Sequence, residues 1–214
     1  MGRASGIFDV VPEARRKPRP AGRMTYEQFL DWLDEETHAE WVDGEVVYMA
    51  PIRDDHSLVN GFLLSVVREF VHLKKLGKVL FEPFQMKTGK DLPGRSPDLI
   101  FVARRNLKRL HRTYLEGPAD LAIEIISPGS RALDRGDKYD EYEEGGVREY
   151  WIVDPKRKEA DFFELGRDGG YRKMPVVDGV FRSGVLKGFW LREKWLWQSP
   201  QPMVSDVLRE WGSV

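Results

Sequence analysis

Between residues 121 and 153 the chain spells out a strand, a charged helix and a second strand, and no other feature narrows the fold as much. Residues 121–126 are Leu-Ala-Ile-Glu-Ile-Ile, nearly all apolar, which is the pattern of a strand buried on both faces. Residues 131–144 are highly charged and read as a helix closed by Gly145-Gly146. Residues 147–153 (Val-Arg-Glu-Tyr-Trp-Ile-Val) return as a strand that stops at Asp154-Pro155. A strand, a crossover helix and a second strand in one sheet imply parallel neighbours joined by a right-handed connection. The expected class is α/β, with a mixed β-sheet core flanked by helices.

The rest of the chain supplies further pieces. Thr25 and Gln28 have capping-box spacing, and Phe29, Leu30, Trp32 and Leu33 give the helix that follows an apolar stripe. Short β-prone runs at 40–42 and 45–49 flank Asp43-Gly44, a strong hairpin signal. Asp54 or Asp55 is expected to cap a long amphipathic helix in which Leu58, Phe62, Val66, Phe70 and Leu73 recur, with Gly77 ending it. Strands are expected over 79–87 and 99–102, with a basic helical piece near 107–111. The last fifty residues read as short strands around an Asp178-Gly179 turn, then an aromatic segment with Trp190, Trp195 and Trp197. No internal repeat is evident, and 214 residues suit one substantial core better than two. Residues 24–214 are expected to form a single domain.

Composition removes several function classes. No apolar run approaches the roughly 20 residues that span a bilayer, and the first residues lack the apolar core of a secretory signal. Gly6 stands where a myristoylation signal needs Ser or Thr. The absence of cysteine excludes disulfides, thiolate metal sites and cysteine nucleophiles. A cytoplasmic location without membrane contact is expected. The net charge of −1 gives no strong global attraction for phosphate. Residues 1–23 depart from this: six Arg and Lys against Asp9 and Glu13 leave a net +4, and therefore −5 for the remainder. That proline-rich stretch reads as a flexible basic arm, either a solubilising tail or a contact for DNA phosphates.

Glu124 is the residue that most clearly asks for an explanation. An isolated carboxylate inside a buried strand costs several kcal/mol unless it is paired or metal-bound, on the order of 2–7 kcal/mol for polar groups in general. Strand parity puts it on the face of Ala122 and Ile126. Two readings remain open on this residue alone, an ion pair with a cation on a neighbouring helix and a metal site. Asp98 follows Pro97 and opens the 99–102 strand, so it lies at a strand end. On its own, Ser-Pro-Asp is an ordinary turn. Beside Glu124 on an adjacent strand it makes a hard-oxygen pair suited to magnesium, which takes one or two carboxylates and keeps several waters.

Several motifs then carry a family resemblance: Ser96-Pro97-Asp98; Ala122-Ile123-Glu124-Ile125-Ile126-Ser127-Pro128; Asp134-Arg135-Gly136-Asp137-Lys138-Tyr139; and the run from Gly146 to Pro155. With Glu40 to Glu45 and His56 upstream, the chain resembles the Uma-two family of restriction endonucleases over about residues 24–198. That family belongs to the PD-(D/E)XK nuclease superfamily. The resemblance implies a restriction-endonuclease-like fold and hydrolysis of DNA phosphodiester bonds with Mg²⁺, or with Mn²⁺ in its place. Asp98 and Glu124 would hold the metal.

One departure matters. The superfamily usually places lysine two residues after the motif acid, where this chain has Ile126. Lys138, in the family's lysine-bearing segment, would supply the ammonium from a helix; its bland alternative is a surface lysine paired with Asp134 or Glu141. Lys87, on the strand before Asp98, is the substitute. Glu40 occupies the family position that often completes the metal shell, although acids beside a hairpin turn are routinely exposed. His56 would point into the cleft from a helix start, and a lone histidine is more often structural. His38, His72 and His111 show no ligand spacing, so no zinc site is expected. Phosphate-loop, nucleophile-elbow and dinucleotide glycine patterns are missing.

Two function classes follow: an active endodeoxyribonuclease, and a catalytically lapsed relative acting in nucleic-acid binding or assembly. The absent motif lysine and weak basic charge favour the second. A duplex has two strands and each chain one site, so a homodimer is expected; the aromatic residues within 189–197 would either form its interface or close the chain's own core.

Overall fold

The Thr25 hydroxyl accepts the Gln28 amide at 3.2 Å and the Gln28 side chain accepts the Thr25 amide at 2.8 Å. The capping box therefore forms and starts α1 (Tyr26–Trp32), whose Tyr26 and Phe29 are buried. The computed structural model describes residues 17–49, 53–127 and 129–212. Of the basic arm, residues 1–16 lie outside these. Lys17 pairs with Asp34 at 2.9 Å, and its ammonium lies 5.0 Å from the centroid of the Trp32 ring.

The hairpin β1 (Ala39–Val42) and β2 (Glu45–Tyr48) turns at Asp43-Gly44, both at positive φ, as a tight two-residue turn requires. The long helix α2 (Asp54–Leu73) follows. Its start is Arg53, without a side-chain cap, and it ends before Lys74 rather than at Gly77. Lys75 takes the positive-φ position, and Gly77 instead opens β3 (Gly77–Phe81), where a Cβ would meet the Val102 carbonyl at 2.0 Å. The expected single strand over 79–87 is two. Pro83 has no amide hydrogen to give a ladder, and after it β4 (Gln85–Lys87) joins a different sheet.

Next come β5 (Gly94–Arg95), β6 (Leu99–Ala103), a 3₁₀ turn over Arg104–Arg109, β7 (Tyr114–Glu116) and β8 (Leu121–Ile125). The charged helix is broken in two, α3 (Arg131–Arg135) and α4 (Asp137–Gly145). Gly136 between them leaves helical geometry at φ −117°, ψ −99°. Then β9 (Glu149–Asp154), β10 (Glu159–Leu165), β11 (Tyr171–Lys173), β12 (Val180–Arg182), β13 (Trp190–Arg192) and α5 (Val204–Glu210) complete the chain.

The strands make two main sheets, in the orders β2-β1-β5-β4-β7 and β11-β10-β9-β8-β6-β3, with β12-β13 as a small third. As expected, β8 and β9 are parallel neighbours, Glu124 facing Ile152; β6 runs antiparallel on the other side of β8. Leu121, Ile123 and Ile125 project into one core with Val59, Leu63, Val66 and Phe70 of α2. Ala122 and Ile126 project to the other, with Tyr142, Tyr150 and Ile152. Each fully buried large side chain contributes about 1.5–3 kcal/mol, so the two layers fix strand parity firmly.

The C-terminal aromatics pack against the chain's own core, with Trp190 and Trp197 only partly buried. Phe189 and Trp195 are buried in the α2-side core, and Trp211 packs edge-on against Phe70. Glu149 fastens this segment from within, accepting amides of Gly184 and Val185 at 2.8 Å and the Trp151 indole at 2.7 Å.

Candidate active site

The sheet order that makes β6 and β8 neighbours also brings their two acids together. The antiparallel register pairs Leu99 with Ile123, and one step further sets Asp98 opposite Glu124. Opposed residues of an antiparallel pair share a face. Asp98 is tied to its neighbour strand, its Oδ2 accepting the Ile125 amide at 2.7 Å. Both acids are nearly fully buried, at 6% and 3% exposure.

A helix delivers the counter-charge. Lys138 and Tyr142 of α4, four residues apart, lie over the Glu124 face, and Asp134 joins them from α3. The Lys138 ammonium is 3.0 Å from Glu124, 3.5 Å from Glu40 and 3.4 Å from Asp134. The Tyr142 hydroxyl donates to the same Glu124 oxygen at 2.7 Å. Both readings of Glu124 thus meet in one place: it has a helix-borne cation, and it also faces a second strand acid. Burial pushes the Glu124 carboxyl well above the usual range, with Asp134, Asp98 and Glu40 adding to it against the pull of Lys138. Burial alone would depress the Lys138 ammonium, but Glu124, Glu40 and Asp134 outweigh it and hold it well above its ordinary value.

Glu40 is not an exposed hairpin acid. It is fully buried on β1 and accepts from the Ser96 amide at 3.0 Å and from Arg95 at 2.9 Å. Arg95 in turn makes a fork with Glu141 of α4, at 2.7 and 2.6 Å, which locks the five-stranded sheet to the helix. Burial works against the Glu40 carboxylate, yet Lys138, Arg95 and the Ser96 amide lower its pKa.

His56, in the first turn of α2, places Nε2 3.2 Å from Asp98 Oδ1, and its Nδ1 has no hydrogen-bond partner among the described residues. Burial opposes its charging, and Asp98, Glu82 and Asp134 more than offset that, raising its pKa. Lys87 lies elsewhere. Its ammonium bonds to the Leu92 carbonyl and sits 4.2 Å from the centre of the Trp41 ring, on β4 of the other sheet. The turn that splits 79–87 carries it away from Glu124, so Lys138 is the lysine at the acids.

A family model described as Uma2, "Putative restriction endonuclease", matches residues 26–193. The chain belongs to the Uma2 family. Among solved structures, a "putative nuclease belonging to DUF820 from Anabaena variabilis ATCC 29413" superposes with a TM-score of 0.66. It is 17% identical, with 81% of this chain and 97% of that one covered, a likeness of fold. No curated protein matches the chain. The Uma2 assignment and the mixed α/β architecture agree with the resemblance read from the motifs.

Sequence reading of this Uma2 chain missed three parts of the cluster, and it weighed Asp134 only as a surface partner of Lys138. Tyr142 could have been found from its spacing of four beyond Lys138. Arg95 adjoins the Ser-Pro-Asp motif, but nothing local marks it as the partner of Glu40. Glu82 was also overlooked: its amide donates to the Asp98 carbonyl at 3.3 Å, and burial together with Asp98 raises its pKa.

The fit of a divalent ion turns on the donors. No three His, Asp or Glu side chains among the described residues converge as a ready cage. Magnesium needs only one or two carboxylates besides water, and Asp98 and Glu124 are such a pair on facing strand positions. Lys138 and Tyr142 both address one oxygen of Glu124, Oε1. The donor set suits the ion.

Proposed function

We propose that the protein is a Mg²⁺-dependent endodeoxyribonuclease that hydrolyses DNA phosphodiester bonds at Asp98, Glu124 and Lys138. The observation that carries this reading is the Lys138 ammonium 3.0 Å from Glu124, a cation at the motif acid although position 126 is Ile. Asp98 and Glu124 would hold Mg²⁺, with Mn²⁺ as a substitute. Such an ion supplies Lewis acidity toward a phosphoryl oxygen and lowers the pKa of bound water.

The chain's own groups have separate tasks. Lys138 neutralises charge at the phosphate and orients the attacking water. Tyr142 fixes the Glu124 carboxylate. Glu40 and Asp134 hold the Lys138 ammonium in place, and Arg95 keeps Glu40 ionised and aligned. His56 orients Asp98 from the opposite side. Purified protein incubated with plasmid and short duplexes should cut them with Mg²⁺ or Mn²⁺ and not with EDTA. Asp98→Asn and Glu124→Gln should be inactive, and cleavage that survives both would refute the assignment.

One observation favours a second reading. Lys138 and Arg95 already neutralise Glu124, Glu40 and Asp134 from within the protein, and a closed network of that kind suits a lapsed nuclease that binds DNA or assembles. Folded protein that never cuts with either metal would decide for it.

A further inference from the structure

Glu40, Asp98, Glu124 and Asp134 crowd together at this site and repel a polyanion, and the chain as a whole carries −1, so a DNA backbone brought to it needs local positive charge. The turn between β9 and β10 supplies it. Lys156, Arg157 and Lys158 are consecutive and exposed, and none makes an ion pair among the described residues. Lys156 and Arg157 line a cleft of about 200 Å³ with Arg131, Ser127, Ile126, Asp154 and Asp55.

The cleft is built rather than incidental. Asp154 is 2% exposed; one oxygen holds the Arg131 guanidinium and the other accepts the Arg157 amide at 3.1 Å. A single buried carboxylate thereby sets both cationic walls. Arg131 also reaches Glu159 at 3.4 Å.

The position matches the proposed chemistry. β8 and β9 run parallel, so the residues after both strands emerge at one end of the sheet, the end where ligands of α/β sheets gather. Ile126 lines the cleft two residues beyond Glu124, about 7 Å along the strand. That is comparable to the axial rise of two nucleotides in a duplex strand, about 3.4 Å each.

We propose that Lys156 and Arg157, with Arg131, form a subsite that grips a backbone phosphate flanking the bond positioned at Asp98 and Glu124. This rests on the nuclease reading for the identity of the polyanion. The contact is to phosphate and carries no sequence information. Asp55 also lines the cleft, and an extended backbone, held at several points, is the ligand that such a mixed rim suits.

The test is anisotropy of a fluorescein-labelled short duplex with full-length protein in EDTA, across a salt series. It compares wild type with Lys156→Ala/Arg157→Ala, a variant confined to exposed side chains whose folding is checked by thermal melting. The variant should bind roughly tenfold or more weakly at low salt, and its slope of log affinity against log salt should be shallower by about one to two. Cleavage assayed in parallel separates the two claims. Wild-type affinity and slope in a folded variant would overturn the subsite even if the protein cuts DNA. A weakened variant of a protein that never cuts would support the subsite and remove hydrolysis. Absence of duplex binding by wild type at any salt would overturn both.

Discussion

The Lys138 ammonium and the Glu124 carboxylate meet at 3.0 Å in a space from which water is nearly excluded, at 2% and 4% side-chain exposure. Their situations are not symmetric. Lys138 has two further acids, Glu40 and Asp134, whereas Glu124 has one ammonium and three neighbouring carboxylates that oppose its charge.

Removing Glu124 therefore should not break the fold. In Glu124→Ala, Lys138 keeps two partners and the acids lose one mutual repulsion, so metal-free protein is expected to be as stable as wild type or more so, with cleavage abolished. Glu124→Gln should do the same while keeping an acceptor for Tyr142. Thermal melting in EDTA checks this. A loss of about 3–5 kcal/mol, the cost of orphaning a buried charge, would mean that Glu124 serves chiefly as the anchor of Lys138.

Removing Lys138 should have the opposite effect. Lys138→Met keeps much of the volume but leaves Glu40, Glu124 and Asp134 buried around an apolar chain. A destabilisation of about 3–5 kcal/mol is expected, read by denaturant unfolding, along with loss of cleavage. A Lys138→Met protein as stable as wild type would refute the charge-balance account of the cluster.

What could be read in advance was what the local pattern carries. The 121–153 unit was legible because burial on two faces demands unbroken apolar runs, and Glu124 stood out because it interrupts one. The capping box at Thr25 and the Asp43-Gly44 turn are short-range chemistry and formed as written. The pairing of Glu40 with Arg95, 55 positions apart, depends on β1 lying beside β5, an order that no local signal encodes. The place of Lys87, the substitute for Lys138, depends likewise on strand order, since β4 joins the five-stranded sheet after Pro83. Composition does not say whether the aromatic run near Trp195 closes the chain's own core or meets a second copy.

Metal binding gives an independent reading of Asp98 and Glu124. A ligand that binds only the folded state at a hundredfold excess over Kd stabilises it by about 2.7 kcal/mol, which for a chain of this size is roughly 5–10 °C in Tm. Wild type should melt higher in Mg²⁺ than in EDTA, and Asp98→Asn should lose that increment. An equal rise in both proteins would place the ion elsewhere.

Each chain carries one Asp98–Glu124 pair, so double-strand cleavage in a single encounter calls for two copies, and a two-fold axis would set their sites on opposite strands. The aromatics expected to join the copies are largely spent in the chain's own core, Phe189 at 1% and Trp195 at 4% exposure. A different surface is open: the six-stranded sheet ends at β3, where Phe81 is 49% exposed, and an end strand with an exposed aromatic is a natural pairing edge. Light scattering at micromolar concentration should give twice the 24.8 kDa chain mass, and Phe81→Lys should shift it toward one. In that variant, nicked plasmid should accumulate before linear product. A wild-type monomer that makes linear product without a nicked intermediate would refute the pairing argument.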